Sequence, residues 1–170
     1  MSNRQLLWST MLAASLILSV TGNARGQGIT DHAGQNMAEM NFDRVPGIPA
    51  CSTGSVQSGD PSKGPSIILA KAEAGCTIPW HWHTPNEHLM IVSGVARLEA
   101  MDGDSLTLKA GGYARMPTRH VHQFHCISPC VFYVYSDTAF DIHYVDEQGK
   151  EISPDDALEF FTEPDPMETE

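Results

Sequence analysis

Gly75-Cys-Thr-Ile-Pro-Trp-His81-Trp-His83-Thr-Pro-Asn-Glu87, closing at Gly94, is the stretch on which the reading of this chain turns. Side chains two apart on a strand share a face, so His81 and His83 point one way and Trp82 the other. Pro85 cannot donate to a β-ladder, which predicts a turn or bulge over Thr84 to Asn86. Glu87 then returns on the neighbouring segment, where its carboxylate can complete one face of a metal. A fourth ligand stands downstream at His122, with His120 a rival of the same strand parity. Imidazoles with a carboxylate suit one divalent transition metal: Fe, Mn, Ni, Zn or Cu. Three histidines and one carboxylate leave one or two positions open to water or substrate, whereas a structural zinc site is closed.

The surrounding chain reads as strands. Short apolar runs fall between turn signals at Ser66 to Ala72, Leu89 to Val92, Val95 to Met101 and Leu106 to Leu108. They continue at Tyr113 to Met116, Val121 to His125, Val131 to Tyr135 and Ala139 to Val145. Asp102-Gly103 is a hairpin signal, and Gly111-Gly112 is a break. Runs this short at this spacing indicate an antiparallel all-β sandwich or barrel. Residues 27–49 read as an extended arm rich in turn formers, and a short strand is expected near Ala50 to Val56. Only the tail looks helical: Ser153-Pro154-Asp155-Asp156 offers a cap, a proline for the first turn and acids near the helix N-terminus. Phe160 and Phe161 are expected to pack on the barrel, and Glu163 to Glu170 to be disordered.

Gly75, five residues, His81-Trp-His83, three residues, Glu87, six residues and Gly94 resembles the first sequence motif of the cupins at every fixed position. Gly111, Pro117 and His122 match the second motif, with Arg119 where a glycine is usual and Cys126 where an asparagine is usual. Arg adopts positive φ less readily than Gly, so the first departure bears on the local turn. The resemblance implies a double-stranded β-helix, or jelly-roll barrel, to which the short C-terminal helix read above is added, and a metal inside held by His81, His83, Glu87 and His122. Motif position favours His122 over His120. Glu87 could instead orient a ligand, or leave the metal and act as a base. The resemblance also implies frequent dimerisation, so a homodimer is expected.

The N-terminus has the layout of a secretory signal peptide: Arg4, an apolar run over Leu6 to Val20, then small residues. The run is 15 residues, short of the roughly 20 a membrane span needs. Cleavage after Ala24 or Gly26 predicts a leader of residues 1–26, an arm of 27–49, a barrel of 50–148, and a short helix with an acidic tail over 149–170. The alternative is an uncleaved anchor; either way the domain lies in the periplasm or outside the cell, with no stable membrane insertion once the leader is cleaved. Export makes disulfides possible among Cys51, Cys76, Cys126 and Cys130. Cys126 and Cys130 flank a turn-like Ile-Ser-Pro, so the first expectation is a bridge across a hairpin end, with Cys51 to Cys76 following. A chain of 170 residues with 41% hydrophobic content supports one domain. A formal charge of -11 argues against nucleic acid and anionic membranes as partners.

These features point to a small-molecule ligand or substrate. The first reading is a metal-dependent enzyme acting on an enol, a catechol-like compound or a β-dicarbonyl; the resemblance implies first a dioxygenase of the flavonol-cleaving type, and after it an isomerase. The second is a non-catalytic exported binder of a metal or small ligand, and the third an interaction module with a structural metal. His88, His125 and His143 read as ordinary polar residues, and Trp82 as packing on the far side of its strand. Tyr113, Phe124, Tyr133 and Tyr135 are candidates for lining the barrel mouth. No phosphate-binding glycine loop, nucleophile elbow or helical His-Glu-x-x-His motif is present.

Overall fold

Buried and more exposed side chains alternate along several strands of this protein, and the two inward faces meet as its core. A computed structural model describes residues 34–159; the leader, His32, Phe160, Phe161 and the acidic tail lie outside the described residues. The strands are β1 (Ser52–Gly59), β2 (Ser66–Ala72), β3 (Thr77–Trp82), β4 (Glu87–Ser93), β5 (Val95–Ala100), β6 (Ser105–Lys109), β7 (Tyr113–Met116), β8 (His122–Cys126), β9 (Cys130–Ser136) and β10 (His143–Tyr144), followed by helix α1 (Pro154–Glu159). They form two five-stranded antiparallel sheets, β1-β2-β9-β4-β7 and β10-β3-β8-β5-β6. The chain crosses between sheets repeatedly, which gives the expected all-β jelly roll.

β9 shows the rule. Cys130, Phe132, Val134 and Ser136 are buried, while Val131, Tyr133 and Tyr135 are half-buried on the other face. Phe132 packs against Phe124 of the opposite sheet, ring centroids 4.8 Å apart. Burying a phenylalanine in this way stabilises by about 2–3 kcal/mol. Leu89, Ile91, Leu98 and Met116 complete the centre of the core. The same alternation corrects one expectation. Phe124 does face inward, but Tyr113, Tyr133 and Tyr135 do not line the interior, because their register partners His88 and Met90 point outward while Glu87, Leu89 and Ile91 point in.

Two turns depend on a positive φ. Gly94, with φ 89°, joins β4 to β5, and a Cβ there would collide with the carbonyl oxygen of Pro129, so only glycine fits. Arg119 takes φ 59° where glycine is usual. The turn survives because its backbone N–H donates to the His83 carbonyl at 2.8 Å and its guanidinium lies 4.1 Å over the Trp82 ring. Trp82 is buried on the far side of β3, as expected, with His143 stacked 3.8 Å from it.

The arm is more than a loop. Met37–Glu39 forms one 3₁₀ turn, and Asp43 pairs with Gly54 at the edge of β1. β1 itself runs further than anticipated, to Gly59. The Cys51–Cys76 disulfide is formed, but Cys126 and Cys130 are free and buried, which corrects the expected hairpin bridge. The residues between them do not close a hairpin. They hand the chain from one sheet to the other, so Cys126 pairs with Ala96 and Cys130 with Ala72. The Cys130 thiol instead donates to the Ser128 carbonyl at 3.1 Å, and burial pushes the Cys126 thiol up. At the C-terminus Ser153 caps α1 as predicted, accepting the Asp156 N–H at 3.1 Å.

Candidate metal centre

Four buried side chains converge inside the sandwich: His81, His83, Glu87 and His122, whose nearest nitrogen and oxygen atoms all lie within 4.8 Å of one another. They come from both sheets. His81 on β3 and His122 on β8 are direct register partners, their rings 4.2 Å apart. His83 lies just past the end of β3, its ring 4.8 Å from His81. Glu87 is the first residue of β4, in the facing sheet.

The turn between His83 and Glu87 is held from a distant loop. Asp141 accepts the Thr84 N–H at 2.7 Å, and Asp137 accepts the Asn86 backbone and side-chain N–H groups at 2.9 and 2.6 Å. This clasp places His83 and Glu87 on one cavity. Sequence reading missed both aspartates, since nothing in their spacing ties them to residues more than fifty positions earlier.

Each imidazole is oriented by a backbone carbonyl. His81 Nδ1 lies 2.6 Å from the Pro79 oxygen, His83 Nδ1 2.5 Å from the Asp141 oxygen, and His122 Nδ1 2.8 Å from the His120 oxygen. A carbonyl can only accept, so each Nδ1 carries the proton and each neutral ring turns an Nε2 lone pair into the cluster. His122 Nε2 is 3.2 Å and His83 Nε2 3.4 Å from the same Glu87 oxygen, Oε2. Lone pairs facing a carboxylate repel. Either an imidazolium proton or a cation must sit between them.

The electrostatics agree. Burial, with His122 and His83 beside it, holds the His81 imidazole well below its usual range. Burial opposes charge at His83 too, but the Glu87 carboxylate outweighs it and raises that imidazole. Burial would raise Glu87, yet His83 and His122 more than offset it and hold the carboxyl well below its usual range. Among the described residues, His83 Nε2 is the buried side-chain polar atom left without a hydrogen bond, although it lies 3.4 Å from Glu87. An orphaned nitrogen, three converging lone pairs and a carboxylate fit a single metal ion, and backbone partners on Nδ1 are the usual way such ligands are aimed.

The other described histidines lie apart. His120 contributes its carbonyl, and its ring is 6.4 Å from that of His122. His88 points outward to the Tyr113 hydroxyl at 2.7 Å, His125 bonds Thr77 at 2.7 Å, and His143 stacks on Trp82.

Beside the cluster is a cavity of about 60 Å³ with an apolar wall. Val45 and Ile48 of the arm and Phe140 and Ile142 of the loop before β10 line it, Phe140 lying 4.7 Å from the His83 ring. The arm is pinned by Tyr144, whose hydroxyl donates to the Gly47 carbonyl at 2.7 Å. Sequence reading did not find these four residues; they stand outside both motifs.

Residues 68–136 match the family model described as the cupin domain. Among solved structures, the polyketide cyclase RemF from Streptomyces resistomycificus superimposes with a TM-score of 0.63 at 16% identity, over 79% of this chain and 95% of that one. An RmlC-like cupin from Ralstonia eutropha gives 0.57 at 18%, over 76% and 87%. Another from Shewanella frigidimarina gives 0.53 at 13%, over 64% and 92%. At these identities the likeness is one of fold. No curated protein matches the chain by sequence.

Proposed function

Because this chain belongs to the cupin superfamily, we propose that it is a metal-dependent enzyme acting on a small molecule, with dioxygenase-type chemistry at His81, His83, Glu87 and His122. The observation that carries this reading is the convergence of three Nε2 atoms and Glu87 on one buried point that opens into an apolar cavity. A divalent metal held there would polarise the oxygens of a chelating substrate and, if redox-active, exchange electrons with dioxygen.

The protein's own groups have separate tasks. The carbonyls of Pro79, Asp141 and His120 fix the tautomer and aim of the three imidazoles. Phe140 and Ile142 with Val45 and Ile48 of the arm give the cavity an apolar wall. Glu87 is the one carboxylate among the cavity's lining residues, so it is the group placed to accept the proton a chelating substrate loses. The fold neighbour RemF is a polyketide cyclase, and its similarity is compatible with small-molecule chemistry here.

One observation favours binding without turnover as the second reading: apart from the cluster itself, no titratable side chain lines the cavity. We also propose export. The Cys51–Cys76 disulfide supports it, and among the described residues no helix is long and apolar enough to cross a membrane. On this reading the mature protein comprises the arm of 27–49, the barrel of 50–148 and the tail of 149–170.

Elemental analysis of purified protein, followed by oxygen uptake across a panel of enols, catechols and β-dicarbonyls, tests the proposal. One equivalent of transition metal with uptake for at least one compound is expected. Metal without uptake, and ligand recovered intact, leaves the binding reading.

A further inference from the structure

We propose that Cys76 has two alternative partners: the Cys126 thiol exchanges into the Cys51–Cys76 disulfide, moving the bridge to Cys76–Cys126 and releasing Cys51 as a thiol open to small electrophiles and disulfides.

The strands set Cys76 and Cys126 against each other. Cys126 donates its N–H to the Cys76 carbonyl at 2.9 Å, and its own carbonyl accepts the Gly75 N–H at 2.7 Å. Gly75 has φ 80°, so Gly75 and Cys76 together oppose Cys126 in a glycine bulge. Cys76 and Cys126 are both buried in the core, which puts their side chains on the inner face of the same sheet. Opposed residues of an antiparallel pair hold their Cβ atoms about 4.5–5.5 Å apart. A disulfide needs about 3.5–4.5 Å, so closing this bridge takes a shift of about 1 Å. Cys130 is placed otherwise. It neighbours the Cys126 thiol, but its own S–H is committed to the carbonyls of Ser128 and Val95, at 3.1 and 3.3 Å.

The exchange needs no outside oxidant. The Cys126 thiolate attacks Cys76 Sγ, so the Cys76–Cys126 bond forms as the Cys51–Cys76 bond breaks. The electron pair leaves on Cys51 Sγ, which takes up the proton that Cys126 gave up. Cys51 is the sulfur with a way out. It is half-buried and lines a surface groove together with Arg44, whose charge favours a departing thiolate. Cys126 is fully buried, which keeps it protonated and the resting bridge in place. In the exchanged form the junction of the arm and β1 loses its covalent tie to the start of β3. The stretch that supplies Val45 and Ile48 to the cavity wall is then held by hydrogen bonds, such as that from Tyr144 to Gly47.

The test incubates the full folded chain with excess iodoacetamide and no reductant, quenches with acid, and maps bridges and labels by peptide mass spectrometry. The label is expected on Cys51, with Cys76 bridged to Cys126 and Cys130 unlabelled. Cys126→Ser should abolish labelling of Cys51 and keep the Cys51–Cys76 bridge, whereas Cys130→Ser should leave the labelling as it was. Label on Cys126 or Cys130 beside an intact Cys51–Cys76 bridge overturns the proposal, as does an unlabelled Cys51 in the unaltered protein. Equal labelling of Cys51 in Cys126→Ser overturns it too. Mapping the unaltered protein decides the matter even where a serine variant fails to fold.

Discussion

His83 and Asp141 are joined twice across 58 positions of sequence: the imidazole Nδ1 donates to the Asp141 carbonyl at 2.5 Å, and the Asp141 carboxylate accepts the N–H of the next residue, Thr84, at 2.7 Å. One residue thus fixes both the aim of the imidazole and the turn that carries it toward Glu87. Asp141→Ala keeps the carbonyl but releases the turn. It should lower metal affinity by about tenfold, the lower end of what orienting residues contribute. Calorimetric titration with Zn²⁺ checks this, and an unchanged affinity would show that the turn holds itself.

Facing decides which histidines matter. His83→Ala should abolish tight metal binding, whereas His88→Ala, which removes an outward imidazole bonded to Tyr113, should leave it nearly intact. Metal stoichiometry after gel filtration reads the difference. Equal losses would mean that the chain reverses its faces around Pro85.

Metal removal should spare the fold. The apolar core joins both sheets through residues other than the four ligands, and Cys51–Cys76 adds a covalent tie. Chelation should leave the far-ultraviolet circular dichroism unchanged and lower the melting temperature. The loss should be about 2.7 kcal/mol for metal previously present at a hundred times its dissociation constant. Unfolding on chelation would indicate a structural metal.

The cysteines give a count. Protein denatured without reductant should show two reactive thiols, those of Cys126 and Cys130. Reduction should release two more and destabilise the fold. For cysteines 25 residues apart, loop entropy alone predicts about 3.5 kcal/mol. Urea midpoints before and after reduction measure it; no free thiols would show a second bridge.

Arg119 sets a positive φ against a ring contact. The left-handed backbone costs an arginine about 1 kcal/mol, and a cation over an aromatic face returns about 0.5–2 kcal/mol. Arg119→Gly should therefore be near neutral, while Arg119→Ala keeps the strain and loses the contact. The predicted order of stability, glycine above alanine, is checked by thermal unfolding. The reverse order would assign the turn to something other than these two effects.

What the sequence determined by itself was local. Alternation within a strand put His81 and His83 on one face and Trp82 on the other. Glycines and short apolar runs marked the strands, and Ser153 with Pro154 marked the helix, because these signals act over a few residues. The motif spacing also singled out Glu87 and His122. Tertiary structure decided the rest, because it depends on which distant segments meet. Opposing sheets brought Glu87 to the histidines, and the carbonyls of Pro79, Asp141 and His120 chose the tautomers. The crossing after β8 kept Cys126 and Cys130 from closing a hairpin. The arm that looked like a featureless loop supplied Val45 and Ile48 to the cavity wall. Its apolar residues carry no periodicity to read, since their partner is the open end of the barrel and not a neighbour in the chain.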